Sequence, residues 1–158
     1  MFHRVFIANR GEVAARMVRA CQSLGIESVC GASTADLEAG YPYLSDATEV
    51  VHLGGGAASE SYLCMERLIQ AARQSGCSAL HPGWGFLAEN SSFAALCNQY
   101  GITFIGPSPA VMDQMGLKLA ARAAATKAGL PVVPGSDGPL ADAEEAVRSA
   151  EQVGFPVA

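Results

Sequence analysis

An α/β fold built on a doubly wound parallel sheet is what this sequence predicts, and three observations predict it. A helical stretch ends in glycine and a short apolar run follows, and this pattern recurs at Leu24-Gly25-Ile26, Ser75-Gly76-Cys77, Tyr100-Gly101-Ile102, Ala128-Gly129-Leu130 and Val153-Gly154-Phe155. Glycine just past a helix is the left-handed cap that lets the chain reverse. Short continuous apolar runs, rather than alternating ones, suit strands buried on both faces of a parallel sheet. Third, strands and helices alternate along the chain, which implies right-handed βαβ crossovers.

The elements follow in order. Arg4–Ala8 reads as the first strand, and a helix runs from Glu12 to Leu24 with Val13, Met17, Cys21 and Leu24 at helical spacing on one face. Glu27–Gly31 is a second strand. Ser33–Asp46 is a polar connection with one helical turn, and Glu49–Leu53 is a third strand. Ser61 is placed to cap a helix to Ser75 that turns Leu63, Leu68, Ile69 and Ala72 inward. Ser78–His81 is a strand, and Asn90–Tyr100 a helix carrying Phe93, Leu96, Cys97 and Tyr100. Ile102–Ile105 is a strand stopped by Gly106-Pro107-Ser108-Pro109. Beyond it, Ala110–Ala128 is helix-prone and broken near Gly116, and Pro131–Pro139 is a turn-rich linker. Asp142-Ala-Glu-Glu145 is a capping signature for a last helix, after which Gly154–Ala158 opens a strand.

Composition excludes several classes of function. With 158 residues, half of them hydrophobic and 16% charged, the chain can bury a core and is not a disordered segment. Its formal charge of −5 gives no basic patch for nucleic acid or an anionic membrane. The amino-terminal apolar run is too short for a signal segment and no run approaches spanning length, so a cytoplasmic protein is expected. The five cysteines, Cys21, Cys30, Cys64, Cys77 and Cys97, are odd in number and widely spaced, which fits reduced thiols.

The chemistry concentrates at His81-Pro82-Gly83-Trp84-Gly85-Phe86-Leu87-Ala88-Glu89-Asn90. Pro82 ends the strand and the two glycines permit tight angles. The one tryptophan in the chain is held in a turn at the carboxyl end of a strand, where open α/β sheets bind ligands. Other candidates are weaker. Asn9-Arg10-Gly11-Glu12 occupies the place of a dinucleotide fingerprint but lacks the glycines, and Glu12 already sits at the positive helix end, so the architecture is Rossmann-like without nicotinamide binding. Gly54-Gly55-Gly56 lacks the lysine of a phosphate loop and reads as a connector. His3, His52 and His81 show no metal spacing, and His81 reads as a hydrogen-bonded structural residue. Lys118, Arg16 and Arg19, taken alone, are solvated helix residues.

Together these stretches resemble biotin carboxylase. The resemblance rests on Ile7–Glu12, Arg16 with Arg19-Ala20-Cys21, Ser61-Tyr62-Leu63, His81–Asn90, Phe104–Ser108, Met115-Gly116, Lys118 and Val133–Gly138, in order along the whole chain. It implies an ATP-grasp ligase in which ATP phosphorylates bicarbonate to carboxyphosphate and the ureido nitrogen of biotin captures the carboxyl group. Magnesium accompanies the nucleotide. By this resemblance residues 1–115 are the pre-ATP-grasp domain, and residues 116–158 are a connecting helix and the cut-off start of the ATP-grasp lid. Lys118 is then an ATP contact. Gly83, Trp84, Gly85 and Glu89 border the biotin pocket, and Arg16 and Arg19 a homodimer contact. No metal ligand and no catalytic residue is assigned within these residues.

The implied partners are the remaining ATP-grasp portion, a biotin carboxyl carrier protein, a carboxyltransferase and a second copy of the chain. Three positions depart from the pattern: Trp84 replaces a usual tyrosine, Leu117 a common aspartate, and Ser23 an acidic residue of the dimer helix. The fragment is expected to be inactive alone and to bind none of these cofactors tightly. Two other readings are a non-catalytic interaction domain using Arg16 and Arg19, and a nicotinamide-dependent oxidoreductase. Residues from about Pro131 onward are expected to pack less well, since one helix and a strand fragment cannot build a core.

Overall fold

The computed structural model describes residues 2–136 and 138–157. Asp137, inside the Val133–Gly138 stretch, and Ala158, at the end of the expected last strand, lie outside the described residues. The described residues fall into two compact units, 1–109 and 110–158.

The first unit is a five-stranded, all-parallel sheet wrapped by helices. Its strands are β1 (Arg4–Ile7), β2 (Glu27–Ser33), β3 (Glu49–Gly54), β4 (Ala79–His81) and β5 (Thr103–Phe104), in the spatial order β3-β2-β1-β4-β5. The helices are α1 (Gly11–Ser23), α2 (Thr34–Ala39), α3 (Pro42–Asp46), α4 (Met65–Gln74) and α5 (Ser91–Gln99). The chain walks outward from β1 to β3 and returns to place β4 beside β1, with Ile7 opposite His81. The order therefore reverses between β1 and β4, and the loops that follow these strands face each other there.

Ile7, Cys30 and Ala32 meet Ala14 and Val18 of α1 and Tyr43 and Leu44 of α3 in one fully buried cluster. Side chains alternate across a strand, so Phe6 and Leu53 occupy the other face, where Gly31 leaves them room. Phe93 and Phe104 pack edge to face at 6.0 Å. At the amino ends of the strands, Arg4 bridges Glu27 at 3.1 Å and also pairs with Glu49, tying β1, β2 and β3 together.

Several local expectations are corrected. The buried face of α1 is Val13, Ala14, Val18 and Cys21, with Met17 half-buried. Leu24 is exposed because α1 ends at Ser23. The connection after β2 holds two short helices rather than one turn. Ser61 does not cap α4. It is buried, its hydroxyl donates to the Ala57 carbonyl at 2.8 Å, and a 3-10 turn at Ala58–Glu60 precedes it. Tyr62 beside it is buried and Leu63 is exposed. Tyr100, half-exposed, lies beyond the end of α5.

The second unit holds α6 (Pro109–Gly116, entered from the first unit), α7 (Lys118–Lys127) and α8 (Ala143–Val153). The break at Gly116 and the cap of α8 are as expected: Asp142 Oδ1 accepts from the Glu145 N–H at 2.8 Å, and Glu145 reaches back to the Ala141 N–H at 2.7 Å. Residues 154–157 form no strand; a strand needs a neighbour to pair with, and no sheet occurs among the described residues of this unit. Among the described residues no helix is long and apolar enough to cross a membrane.

Candidate functional site

The loops after β1 and β4 meet at the switch point, the position where parallel α/β sheets open a ligand crevice. Their meeting is made by Asn9. Its side chain is almost fully buried, donates to the Pro82 carbonyl at 2.7 Å and the Trp84 carbonyl at 2.9 Å, and accepts from the Arg10 N–H at 2.8 Å. Both amide hydrogens and the oxygen are engaged, so the amide has one orientation. The His81 Nδ1 accepts the Gly83 N–H at 2.9 Å, which requires neutral imidazole, and burial pushes its pKa below the ordinary value. The structural reading of His81 is therefore the one its geometry supports.

Gly83 is the loop position where a side chain would force its neighbours to shift. Its φ is +68°, and a Cβ would lie 2.4 Å from Val13 Cγ1 and 2.9 Å from Asn9 Nδ2. Gly85 also has positive φ, +73°, but opens onto free space. Phe86 follows with φ +42°, the one positive-φ non-glycine among the described residues. Its ring stacks on Tyr62 at 5.2 Å. Trp84 is 69% exposed. Gly83, Trp84, Gly85 and Glu89 thus share one short loop whose backbone is fixed while the Trp84 ring and the exposed Glu89 face outward.

Behind the loop lies a polar network that the sequence reading did not single out. Asp36 is 1% exposed. It accepts two bonds from Arg10 Nε at 2.9 and 3.0 Å and a further one from the same guanidinium, plus the Tyr62 and Ser33 hydroxyls at 2.7 Å each. The Tyr62 oxygen in turn accepts the Ser33 N–H at 3.1 Å. Burial opposes ionisation of Asp36, but the bonds from Arg10, Tyr62 and Ser33 outweigh it and hold the carboxyl below the usual range. Burial, then the bond to Asp36, pushes the Tyr62 phenol upward. The signal for Asp36 was legible as Ser33-x-x-Asp36, a helix-start pattern: Ser33 caps α2.

Arg16 and Arg19 are both exposed on α1, three residues apart, and neither makes a hydrogen bond or ion pair with another described residue. Ser23, in the same helix, bonds only its own turn through the Ala20 carbonyl. Lys118 is exposed at the first position of α7. Leu117 precedes it as a cap residue without a capping side chain, so the first N–H groups of α7 are left for another acceptor. Around Gly55 the Glu60 carboxylate fills the space a Cβ would take, which leaves no room for a phosphate there. Burial pushes the thiols of Cys30 and Cys97 up to about 12 and Cys77 up to about 11, so they are unreactive packing groups. Among the described residues no group of three or more His, Cys, Asp or Glu is arranged to hold a metal ion. A cleft of about 650 Å³ lies elsewhere, between α4 and α5, lined by Glu66, Ile69, Arg73, Leu96 and Tyr100. There the Arg73 guanidinium covers the Tyr100 ring at 5.5 Å.

Comparison with known proteins gives this arrangement its context. Residues 1–112 match the family model of the biotin carboxylase N-terminal domain, and residues 118–158 match that of the carbamoyl-phosphate synthase L chain ATP-binding domain. The biotin carboxylase of Halalkalibacterium halodurans is 48% identical over 157 residues, 99% of this chain and 34% of that protein. Biotin carboxylase 2 of Bacillus subtilis is 50% identical, again over 99% of this chain and 35% of its own length. Among solved structures, the biotin carboxylase domain dimer of Hydrogenobacter thermophilus 2-oxoglutarate carboxylase, in complex with MgADP, ADP and bicarbonate, superimposes with a TM-score of 0.87 at 45% identity. It is covered over 34% of its chain, and 99% of this chain is matched. The chain thus spans about a third of the length of the relatives it matches. A family match over residues 1–112, on a sheet of this order with its Trp84 loop at the switch point, places the chain in the biotin carboxylase family, whose amino-terminal domain it carries.

Proposed function

We propose that these residues are the amino-terminal part of an ATP-dependent ligase that carboxylates biotin on a carrier protein, with bicarbonate as the carboxyl source. The observation that carries this reading is the Trp84 loop, fixed by its backbone at the sheet's switch point with its ring turned outward. A rigid loop with an exposed flat ring and open space over Gly85 suits one wall of a pocket for a planar ureido ring. Gly83, Trp84 and Gly85 form that wall, and Glu89 lies at its rim.

On this reading residues 1–115 are the pre-ATP-grasp domain and residues 116–158 begin the ATP-grasp domain. Lys118 contacts the nucleotide: an exposed ammonium beside uncapped helix N–H groups is matched to a phosphate. When bound, ATP supplies the phosphoryl group that activates bicarbonate as carboxyphosphate. The part of these residues is to orient: the loop presents its ring and glycine surface to biotin, and Lys118 offsets phosphate charge. Magnesium is assigned no ligand among the described residues. The working partners are the rest of the ATP-grasp domain, a biotin carboxyl carrier protein and a carboxyltransferase. Arg16 and Arg19, exposed and unpaired among the described residues, form part of a homodimer contact, as the dimeric state of the Hydrogenobacter relative supports.

The test is complementation. The 158-residue chain is mixed with the unmatched remainder of the Halalkalibacterium halodurans relative, and bicarbonate-dependent ATP cleavage is measured with free biotin. Activity that appears only when both pieces are present, and drops at least tenfold with Lys118→Ala, is the expected outcome. Stable association of the pieces without ATP cleavage would count against the reading.

A further inference from the structure

We infer that Asn9 is a positioning residue for the Trp84 loop: it sets the loop's backbone from the neighbouring strand and so fixes the direction in which the Trp84 ring is presented. The loop itself has few internal constraints. Among its backbone bonds are Ala88 N–H to the Gly85 carbonyl at 2.9 Å and Asn90 N–H to the Leu87 carbonyl at 3.1 Å, both on its far side. On the near side, Gly83 and Gly85 both sit at positive φ and could adopt many other conformations. What removes that freedom is the pair of bonds from Asn9 Nδ2 to the Pro82 and Trp84 carbonyls, which bracket Gly83, alongside the bond from the Gly83 N–H to His81 Nδ1.

The clamp is specific to asparagine. Its oxygen is spent on the Arg10 N–H, which leaves the two amide hydrogens for the two carbonyls. An aspartate of the same shape would keep the first bond and turn an acceptor toward two acceptors. The far side has its own fastening, because Phe86 stacks on Tyr62, and Tyr62 is held by Asp36. Arg10, the residue after Asn9, completes that second fastening through Asp36. The dipeptide Asn9-Arg10 therefore secures both halves of one loop, one directly and one through Asp36 and Tyr62. The consequence for a biotin pocket rests on the function proposed above; the fastening itself does not.

The experiment uses the 158-residue chain and its one tryptophan as reporter. Asn9→Asp and Gly83→Ala are compared with Leu68→Ala, a core change on α4. Trp84 fluorescence anisotropy and amide exchange are read in each. Gly83→Ala attacks the clamp from the loop side, by the contact with Val13 and Asn9, and stands in should Asn9→Asp not fold. Asn9→Asp and Gly83→Ala are expected to lower the anisotropy and to speed exchange at Gly83 and Gly85 on the order of tenfold relative to the strand amides. Leu68→Ala is expected to raise exchange without that local excess. Unchanged anisotropy and exchange at the loop in folded Asn9→Asp, or in Gly83→Ala, would overturn the inference. In the complemented enzyme, Asn9→Asp should raise KM for free biotin at least fivefold with kcat for ATP cleavage changed less. A wild-type pair without ATP cleavage would remove the proposed function and leave the loop result standing.

Discussion

At the scale of single residues, the site depends on two groups held in one protonation state. Asp36 is buried and ionised because five donor contacts from Arg10, Tyr62 and Ser33 converge on it. Asp36→Ala strands the buried Tyr62 hydroxyl without its acceptor and removes the partner of Arg10. Arg10 is 44% exposed at its side chain and rehydrates, so the cost falls at the low end for a broken buried pair, about 3 kcal/mol. Urea unfolding measures it, and a loss under about 0.5 kcal/mol would show that the network is not stabilising. The folded pKa of Asp36 is depressed, so its stabilisation is complete above the ordinary carboxylate pKa. It is lost as pH falls through the lower folded value. His81 works in the opposite chemical sense. Its folded pKa is also lowered, but the favoured form is the neutral base that accepts from Gly83. Its contribution is complete above about pH 6.5 and declines as pH falls toward and below the folded value. His81→Asn, which offers an oxygen near the Nδ1 position and does not titrate, should flatten the change in urea midpoint between pH 7 and pH 5. An equally steep decline in this variant would place the titrating group elsewhere.

At the scale of elements, the sheet depends on a glycine in β2. A Cβ on Gly31 would lie 2.7 Å from Leu53 Cδ1 and 3.0 Å from Phe6 Cζ. Gly31→Ala should therefore destabilise by about 2 kcal/mol through overpacking. Because the nearest atom is the tip of Leu53, the double variant with Leu53→Ala should cost less than the sum of the two single changes. Strict additivity, measured by urea unfolding, would show that the clash is relieved some other way. The elements themselves were largely legible. Glycine caps, apolar runs and the Asp142 cap carry local physics that a sequence displays directly, and all five strands lie within two residues of their expected bounds. What was not legible depended on partners distant in sequence. Ser61 looks like a helix cap until Tyr62 is required to reach Asp36, 26 residues earlier. Asn9 sits in a stretch that was recognised, but its role depends on carbonyls more than 70 residues away. The Trp84 loop was legible as a turn because Pro and Gly announce it; its fastening was not, because side-chain amide bonds to backbone leave no periodic trace.

At the scale of the whole molecule, the two units differ in what they bury. The first has a continuous core on both faces of its sheet. In the second, no described residue after Met112 is buried, while Leu130, Val133, Val147 and Phe155 are more than half exposed. Helices without a buried apolar face draw little stability from tertiary packing, and isolated helices as short as α7 and α8 are marginal in water. Exposed bonds hold the linker here: Arg122 donates to the Val133 carbonyl at 2.7 Å and the Gly135 carbonyl at 3.1 Å, securing it against α7. Amide exchange should therefore separate the units, with slow exchange in β1, β2 and β4 and exchange near the unprotected rate from Pro131 through Val153. Arg122→Ala should accelerate exchange in the linker further and leave the sheet amides unchanged. Strong protection through Val153 in the 158-residue chain would mean that these residues hold a core of their own, and the exposed valines would then need another explanation. If instead protection of α8 appears only when the complementing ATP-grasp segment is added, the apolar surface at Leu140, Ala146 and Val153 is the face that segment covers.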